Sequence, residues 1–204
     1  MRRKVGTFCM ILGAVLVAAA LSLFLRNQWE EREAGIAVRE VLPLVVEAAE
    51  GRQAETEGAA DGETSAGGDT SDGTLPVVEI DGHGYIGYVT IPSLSIEMPV
   101  MDEWNYENLQ IAACRYYGSV NTGDMVIAAH NYRDYFGTIQ DISLGAEVYF
   151  TDMKGNVTAY TAAEVETLDP YEVEGMTGSG YPLTLFTCTP GGQNRVAVRC
   201  DLMG

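Results

Sequence analysis

Basic residues are scarce in this chain, 12 against 29 acidic ones among 204, and the formal net charge is −17. That balance argues against a nucleic-acid binder, which carries a basic footprint. Histidine is scarcer still, with two, and there are four cysteines. No C-x-x-C or H-E-x-x-H spacing occurs, so the sequence offers zinc no ligand set. A Gly-rich phosphate loop, a G-x-S-x-G elbow, a nucleotide fingerprint and internal repeats are missing too. The length leaves room for one ordinary domain with appendages, not for two catalytic domains. Wholesale disorder is excluded, because 47% of the residues are hydrophobic and 20% charged.

The few charges are unevenly placed. Residues 1–26 hold four bases and no acid, residues 27–75 three bases and twelve acids, residues 76–204 five and seventeen. The basic head frames Val5–Leu25, a run of 21 uncharged residues between Arg2-Arg3-Lys4 and Arg26. As a helix rising about 1.5 Å per residue it matches a hydrocarbon core of roughly 30 Å. A cleaved signal peptide is the alternative, with Ala18-Ala19-Ala20 as its cleavage site. The apolar run continues through Leu21, Leu23, Phe24 and Leu25, which favours an uncleaved anchor. Basic residues before the anchor place the N-terminus in the cytoplasm and the rest outside.

Residues 27–50 carry Val38, Val41, Leu42 and Val45 at helical spacing, interrupted by Pro43, and read as a stalk. Residues 51–74 are Gly, Ser, Thr and acids without apolar periodicity, and read as a flexible linker. Three segments result: anchor 1–26, stalk and acidic linker 27–74, and a folded unit 75–204.

In that unit the apolar runs are short, β-branched and aromatic, and Gly, Pro, Asn and Asp separate them. The expected strands are 85–91, 96–101, 125–130, 147–151, 157–161, 183–188 and 195–201. Short helices are expected over 108–114 and 138–144, and a hairpin turn over Asp152–Asn156. Seven such strands predict an all-β barrel or sandwich with minor helices.

Chemistry has few homes here. Cys9 lies in the anchor; Cys114 and Cys200 stand in apolar contexts and read as small buried hydrophobes. Cys188 closes the run Leu183–Cys188 just before the turn-forming Thr189-Pro190-Gly191-Gly192, where a thiol is both positioned and exposed. His130 closes Met125–Ala129, a run apolar on both faces and therefore central. An imidazole beside a thiol is the pair cysteine catalysis requires, although a structural cysteine and a satisfied core histidine fit these residues as well.

Pairing the last two strands adds an argument. With Cys188 opposite Arg195 across Thr189–Asn194, Leu183, Leu185, Val196, Val198 and Cys200 share one apolar face, with Thr187 at its rim. Thr184, Phe186, Cys188, Arg195, Ala197 and Arg199 share the other, and a slip of one residue would mix the two. Arg195 then lies beside the thiol. Arg199 lies four residues, about 13 Å, down the strand, beyond its reach. Its replacement by Lys is expected to be nearly silent.

Thr184-Leu185-Phe186-Thr187-Cys188, with Arg195 seven residues later and His130 58 residues earlier, resembles the active-site signature of the sortases. Ile86–Pro92 is similar to that family's first strand. Asp124–His130 resembles its G-x-x-V-I-A-G-H strand, with Ala129 in place of the common Gly, and Leu144–Val148 resembles its L-x-x-G-D-x-V turn. The resemblance spans about 85–204.

It implies an eight-stranded β-barrel behind a single transmembrane helix and a linker. It also implies a membrane-anchored cysteine transpeptidase on the outer face of a Gram-positive cell. Such an enzyme cuts a C-terminal sorting signal, often Leu-Pro-x-Thr-Gly, and passes the acyl group to an amine of a cell-wall precursor or pilin. On the matching positions Cys188 is the nucleophile, His130 the acid/base and Arg195 the stabiliser of oxyanion and substrate, with Thr187 and Ala129 as further substrate contacts. The rivals are an extracellular cysteine protease, in which water resolves the acyl-enzyme, and a non-catalytic surface binding module.

No cofactor or metal is expected. Asp169, Glu172 and Glu174 fall where some sortases bind calcium, but they lack the spacing of a calcium loop and read as a solvated acidic loop. His83 sits in the turn Asp81–Gly84, and Trp104 and Tyr106 read as packing aromatics with a peptide groove as the alternative.

Overall fold

In the computed structural model, residues 2–58 and 75–204 are described. The first element is a single helix, α1 (Arg2–Gly58), which runs on through Pro43. Its first part is long and apolar enough to cross a membrane, and Ile11, Leu16, Val17, Leu23 and Phe24 all stand exposed on it. Its second part packs on the folded unit through Ala34, Val38, Val45 and Ala49. A proline inside a helix costs about 3 kcal/mol. Buried residues on both sides of Pro43 offset that cost, and the helix continues past it, so the expected interruption does not occur. Residues 51–58, read above as the start of the linker, continue the helix. The remainder of that linker, 59–74, lies outside the described residues.

Among the described residues nine strands follow: β1 (Val78–Ile80), β2 (His83–Ile91), β3 (Ile96–Met101), β4 (Ala113–Tyr117), β5 (Met125–Ala128), β6 (Glu147–Asp152), β7 (Val157–Leu168), β8 (Leu183–Cys188) and β9 (Arg195–Leu202). The sheet runs β2-β3-β4-β5-β8-β9-β7-β6 and closes on itself where β6 pairs with β2. Eight strands thus form a closed barrel, which leaves only β1 as a short edge beside the first residues of β2. Closure needs a sharp bend in β2. At Gly87 the register slips, φ is 148°, and the backbone of Thr151 stands where a Cβ would go.

The interior is filled from all eight strands of the barrel, for example by Ile86, Met98, Ile127, Phe150, Leu185 and Val198. A second apolar cluster lies outside the barrel wall, where Val45 of α1 meets Tyr85, Met101, Cys114 and Met153. Leu109 joins it from α2 (Tyr106–Ile111), whose first turn is capped by Asn105 accepting from Asn108 N at 2.7 Å. The helix expected over 108–114 is therefore two elements, since the chain turns extended at Ala112 and pairs as β4. The helix expected over 138–144 is a single 3₁₀ turn, Ile139–Asp141. The acidic stretch after β7 contains a short helix, α3 (Val173–Thr177), which buries Met176.

Candidate active site

Three strand ends meet at one rim of the barrel. β8 and β9 pair in the expected register, from Leu183↔Cys200 to Cys188↔Arg195. The hairpin is fixed by its loop: Thr189 N donates to Asn194 O (3.0 Å), and Asn194 N donates to Thr189 Oγ1 (3.1 Å). On the other side β8 runs parallel to β5, with Ala128 paired to Phe186. Beyond the last pair the two chains stay together. Ala129 N donates to Phe186 O (3.1 Å), Thr187 Oγ1 to Ala129 O (2.8 Å), and Asn131 Nδ2 to Thr189 O (3.3 Å). Two residues past Ala128 and Phe186, on the same face, are His130 and Cys188. Neighbouring strands lie about 4.8 Å apart. The order across the rim is therefore Arg195, Cys188, His130, with the thiol in the middle.

All three side chains are half-buried and line one cavity of about 300 Å³. Its floor is apolar, from Ala128, Phe186 and Tyr116, the last two in edge contact with ring centroids 5.2 Å apart. One wall is Trp104, Tyr106 and Leu109, so the two aromatics expected to pack do line a groove. The opposite wall is the stretch from Asp169 to Met176 around α3. Sequence reasoning had not assigned this wall to the site. The signal for it is the set Tyr171, Val173 and Met176, three large apolar or aromatic residues in an acidic stretch. Thr187 and Ala129 also border the cavity, but Thr187's hydroxyl is committed to Ala129 O and ties β8 to β5.

The electrostatics suit a neutral imidazole in the resting site. Burial lowers the pKa of His130 from its usual 6.5, and its ring stacks on Tyr132 with centroids 4.8 Å apart. Arg195 Nη1 donates to Gly192 O (3.2 Å) and Asn194 O (3.1 Å), so the guanidinium is held at the loop edge of the cavity. Burial pushes the other two thiols of the barrel, Cys114 and Cys200, up to about 12, which keeps them protonated and inert. No three His, Cys, Asp or Glu side chains among the described residues are grouped as ligands for a metal ion. Asp169 Oδ1 instead accepts from Tyr171 N (2.9 Å) within its own turn. His83, expected in a turn, opens β2 half-buried.

Arg199, expected to tolerate replacement by Lys almost silently, is a buried clamp. It is 1% exposed. Its Nε donates to Glu166 Oε1 (2.6 Å), Nη1 to Thr184 Oγ1 (2.9 Å) and Met176 O (3.1 Å), and Nη2 to Gly175 O (2.6 Å). It is remote from the thiol, as the register requires, but it fastens α3 to the barrel.

A sortase domain model matches residues 89–203 of this chain. Sortase A of Bacillus anthracis is 29% identical over 133 residues, which are 61% of this chain and 63% of that protein. This chain thus spans less than two thirds of that relative's length. Among solved structures, sortase C1 of Streptococcus suis is 24% identical over 60% of this chain and 74% of its own, with a TM-score of 0.52. Sortase C of Streptococcus pneumoniae is 22% identical over 82% of this chain and 96% of its own, with a TM-score of 0.53. At those identities the two structures show a shared fold.

Proposed function

Because the chain belongs to the sortase family, we propose that it is a cysteine transpeptidase acting on protein sorting signals. The observation that carries this reading is the order Arg195, Cys188, His130 across three adjacent strand ends above one apolar groove. In this reading the neutral His130 imidazole takes the Cys188 thiol proton, and the resulting thiolate attacks a carbonyl carbon of the bound signal to form a thioester. The His130 imidazolium gives its proton to the departing amine. Arg195 leaves its loop carbonyls to donate to the oxyanion of each tetrahedral intermediate. An acceptor amine then attacks the thioester, His130 takes its proton, and the thiolate leaves.

The groove floor of Phe186, Tyr116 and Ala128 suits an extended segment with a large apolar side chain, as in a Leu-Pro-x-Thr-Gly type signal. The acceptor is an amine on a cell-wall precursor or a pilin. No cofactor takes part. The apolar start of α1 anchors the enzyme in the cell membrane with its basic tip in the cytoplasm and the barrel outside.

The test is to incubate the purified chain with a library of five-residue signals and several amines, and to identify products by mass spectrometry. Amine-dependent ligation that disappears in Cys188→Ala and in His130→Ala, both still folded, is the expected result. Product formed only with water would assign a protease instead. Near-normal turnover by Cys188→Ala would refute the assignment of the nucleophile.

A further inference from the structure

The loop that leaves His130 is mounted on α1. Arg133 N donates to Glu31 Oε1 at 3.1 Å, and Arg39 Nη2 meets Asp134 Oδ2 at 3.3 Å. The hydroxyl of Tyr135, a fully buried residue, lies 3.4 Å from Ala34 O and 2.9 Å from both Gln110 O and Ile111 O, so it joins α1, the loop and α2. The Asp134 side chain also reaches Gly35, where an added Cβ would stand 2.7 Å from Asp134 Oδ2. From this seam the way back to the imidazole is short. Tyr132 stands edge-on to Tyr135, with centroids 5.6 Å apart, and stacks on His130 at 4.8 Å. Phe136 N donates to His130 O at 3.1 Å.

We propose that residues 31–39 of α1 position His130, so that turnover depends on the juxtamembrane helix being docked on the barrel. This rests on the reading of His130 as the acid/base. The exposed polar contacts of the seam do not hold the fold. The Arg39–Asp134 pair is 79% and 47% exposed, and so open an ion pair adds little stability. Burial of Ala34, Val38, Val45 and Ala49 docks the helix, while the polar contacts and the close fit at Gly35 set where the loop lies against it. A proton donor displaced by about 1 Å can cost up to about 10²-fold in rate without any loss of substrate binding. Residues 31–39 are therefore positioning residues, and their signature is a fall in kcat at constant KM and constant melting temperature.

The experiment uses the full chain in detergent micelles, assayed for ligation of a signal peptide to an amine. Arg39→Asp should lower kcat by about tenfold, with KM and melting temperature within error of the parent, and Gly35→Leu, a wedge at a buried position of the docking face, should lower kcat as well. Adding Asp134→Arg to Arg39→Asp should restore the rate, which a merely structural role would not predict. Parent-like kcat in both single variants overturns the inference. So does a joint fall of kcat and melting temperature in Arg39→Asp that the charge swap does not rescue. The underlying reading fails separately: if His130→Ala kept its turnover, there would be no acid/base at 130 to position, and the inference would fall with it.

Discussion

Replacing Arg199 by Met removes a buried guanidinium of similar length and leaves four acceptors without their donor: Glu166 Oε1, Thr184 Oγ1, Gly175 O and Met176 O. Glu166 is about one-third exposed and can turn to water, whereas Thr184 and Met176 are buried. Breaking a buried ion pair from one side costs about 3–5 kcal/mol, and hydrogen bonds from a charged donor contribute about 1.5–3 kcal/mol each, not additively. The pair opens to water at Glu166, so we take the lower half, about 3–4 kcal/mol. For a domain of this size that is a drop of roughly 10–20 °C in melting temperature. Lys keeps the charge but not the planar fork that reaches two strands and two carbonyls, so Arg199→Lys should lose about 1–2 kcal/mol.

The substitution also has a second readout, since Gly175 and Met176 belong to α3, whose Val173 and Met176 line the groove. A loosened α3 should raise KM for the signal peptide severalfold, while alkylation of Cys188 by a small thiol reagent proceeds at the parent rate. Thermal unfolding followed by near-ultraviolet circular dichroism, with alkylation kinetics on the same samples, measures both effects. Arg195→Lys should behave in the opposite way, with an unchanged melting temperature and a rate reduced by about 10²-fold as an oxyanion donor is lost. A melting temperature of Arg199→Met within 2 °C of the parent would refute the account of the buried clamp.

His130 should titrate below 6.5 when followed by NMR in the Cys188→Ala protein, because burial disfavours the imidazolium. The folded state binds fewer protons than the unfolded chain, so this contribution is whole above 6.5 and lost as pH falls toward the folded value. A midpoint above 6.5 would contradict burial as the controlling cause. Gly87→Ala should cost at least 1–3 kcal/mol in chemical denaturation, from positive φ and from collision with the Thr151 backbone; a change under about 0.5 kcal/mol would refute it. Deleting residues 1–26 should leave a soluble, folded domain. Deleting 1–50 should destabilise it by several kcal/mol, since two buried valines and two buried alanines are lost and Tyr85 and Met101 are uncovered. Equal denaturation midpoints for the two truncations would show that the stalk does not pack.

Legibility followed the contrast between strand faces. The β8–β9 register could be read because one face is uniformly apolar and a slip would bury Arg195 or expose Val198. β7 was read five residues long and runs for twelve. A bulge between Ala162 and Glu164 shifts the apolar-polar alternation out of phase, so the second half no longer continues the first. β1, three residues long, and β4, which follows α2 after one residue, are too short to declare a period. On α1 the valine spacing pointed to the buried Val38 and Val45. Ala34 and Ala49, equally buried, carry no hydrophobic signal because small side chains are also what an exposed helix uses.

The two arginines of β9 show where such reading stops. Arg195 and Arg199 share a strand, a face and a chemical type, and register alone decides that only the first can reach Cys188. Register says nothing about what covers a face, and cover makes the difference between them. Over the outer end of the strand lies a turn with two glycines at positive φ, Gly191 and Gly192, and Arg195 stays half-exposed beside open groove. Over the inner end lies α3, more than twenty residues earlier in the chain, whose Met176 packs against Ala197 and Val126. A buried guanidinium is tolerable only with partners on every side, and α3 supplies two of its four. The groove wall and the barrel wall are thus joined through one side chain. A substitution in α3 that alters the groove will also be felt in stability when it moves Gly175 or Met176. Changes at Tyr171 or Glu172, which line the groove without touching Arg199, are the ones free to alter what the groove accepts at little cost to the fold.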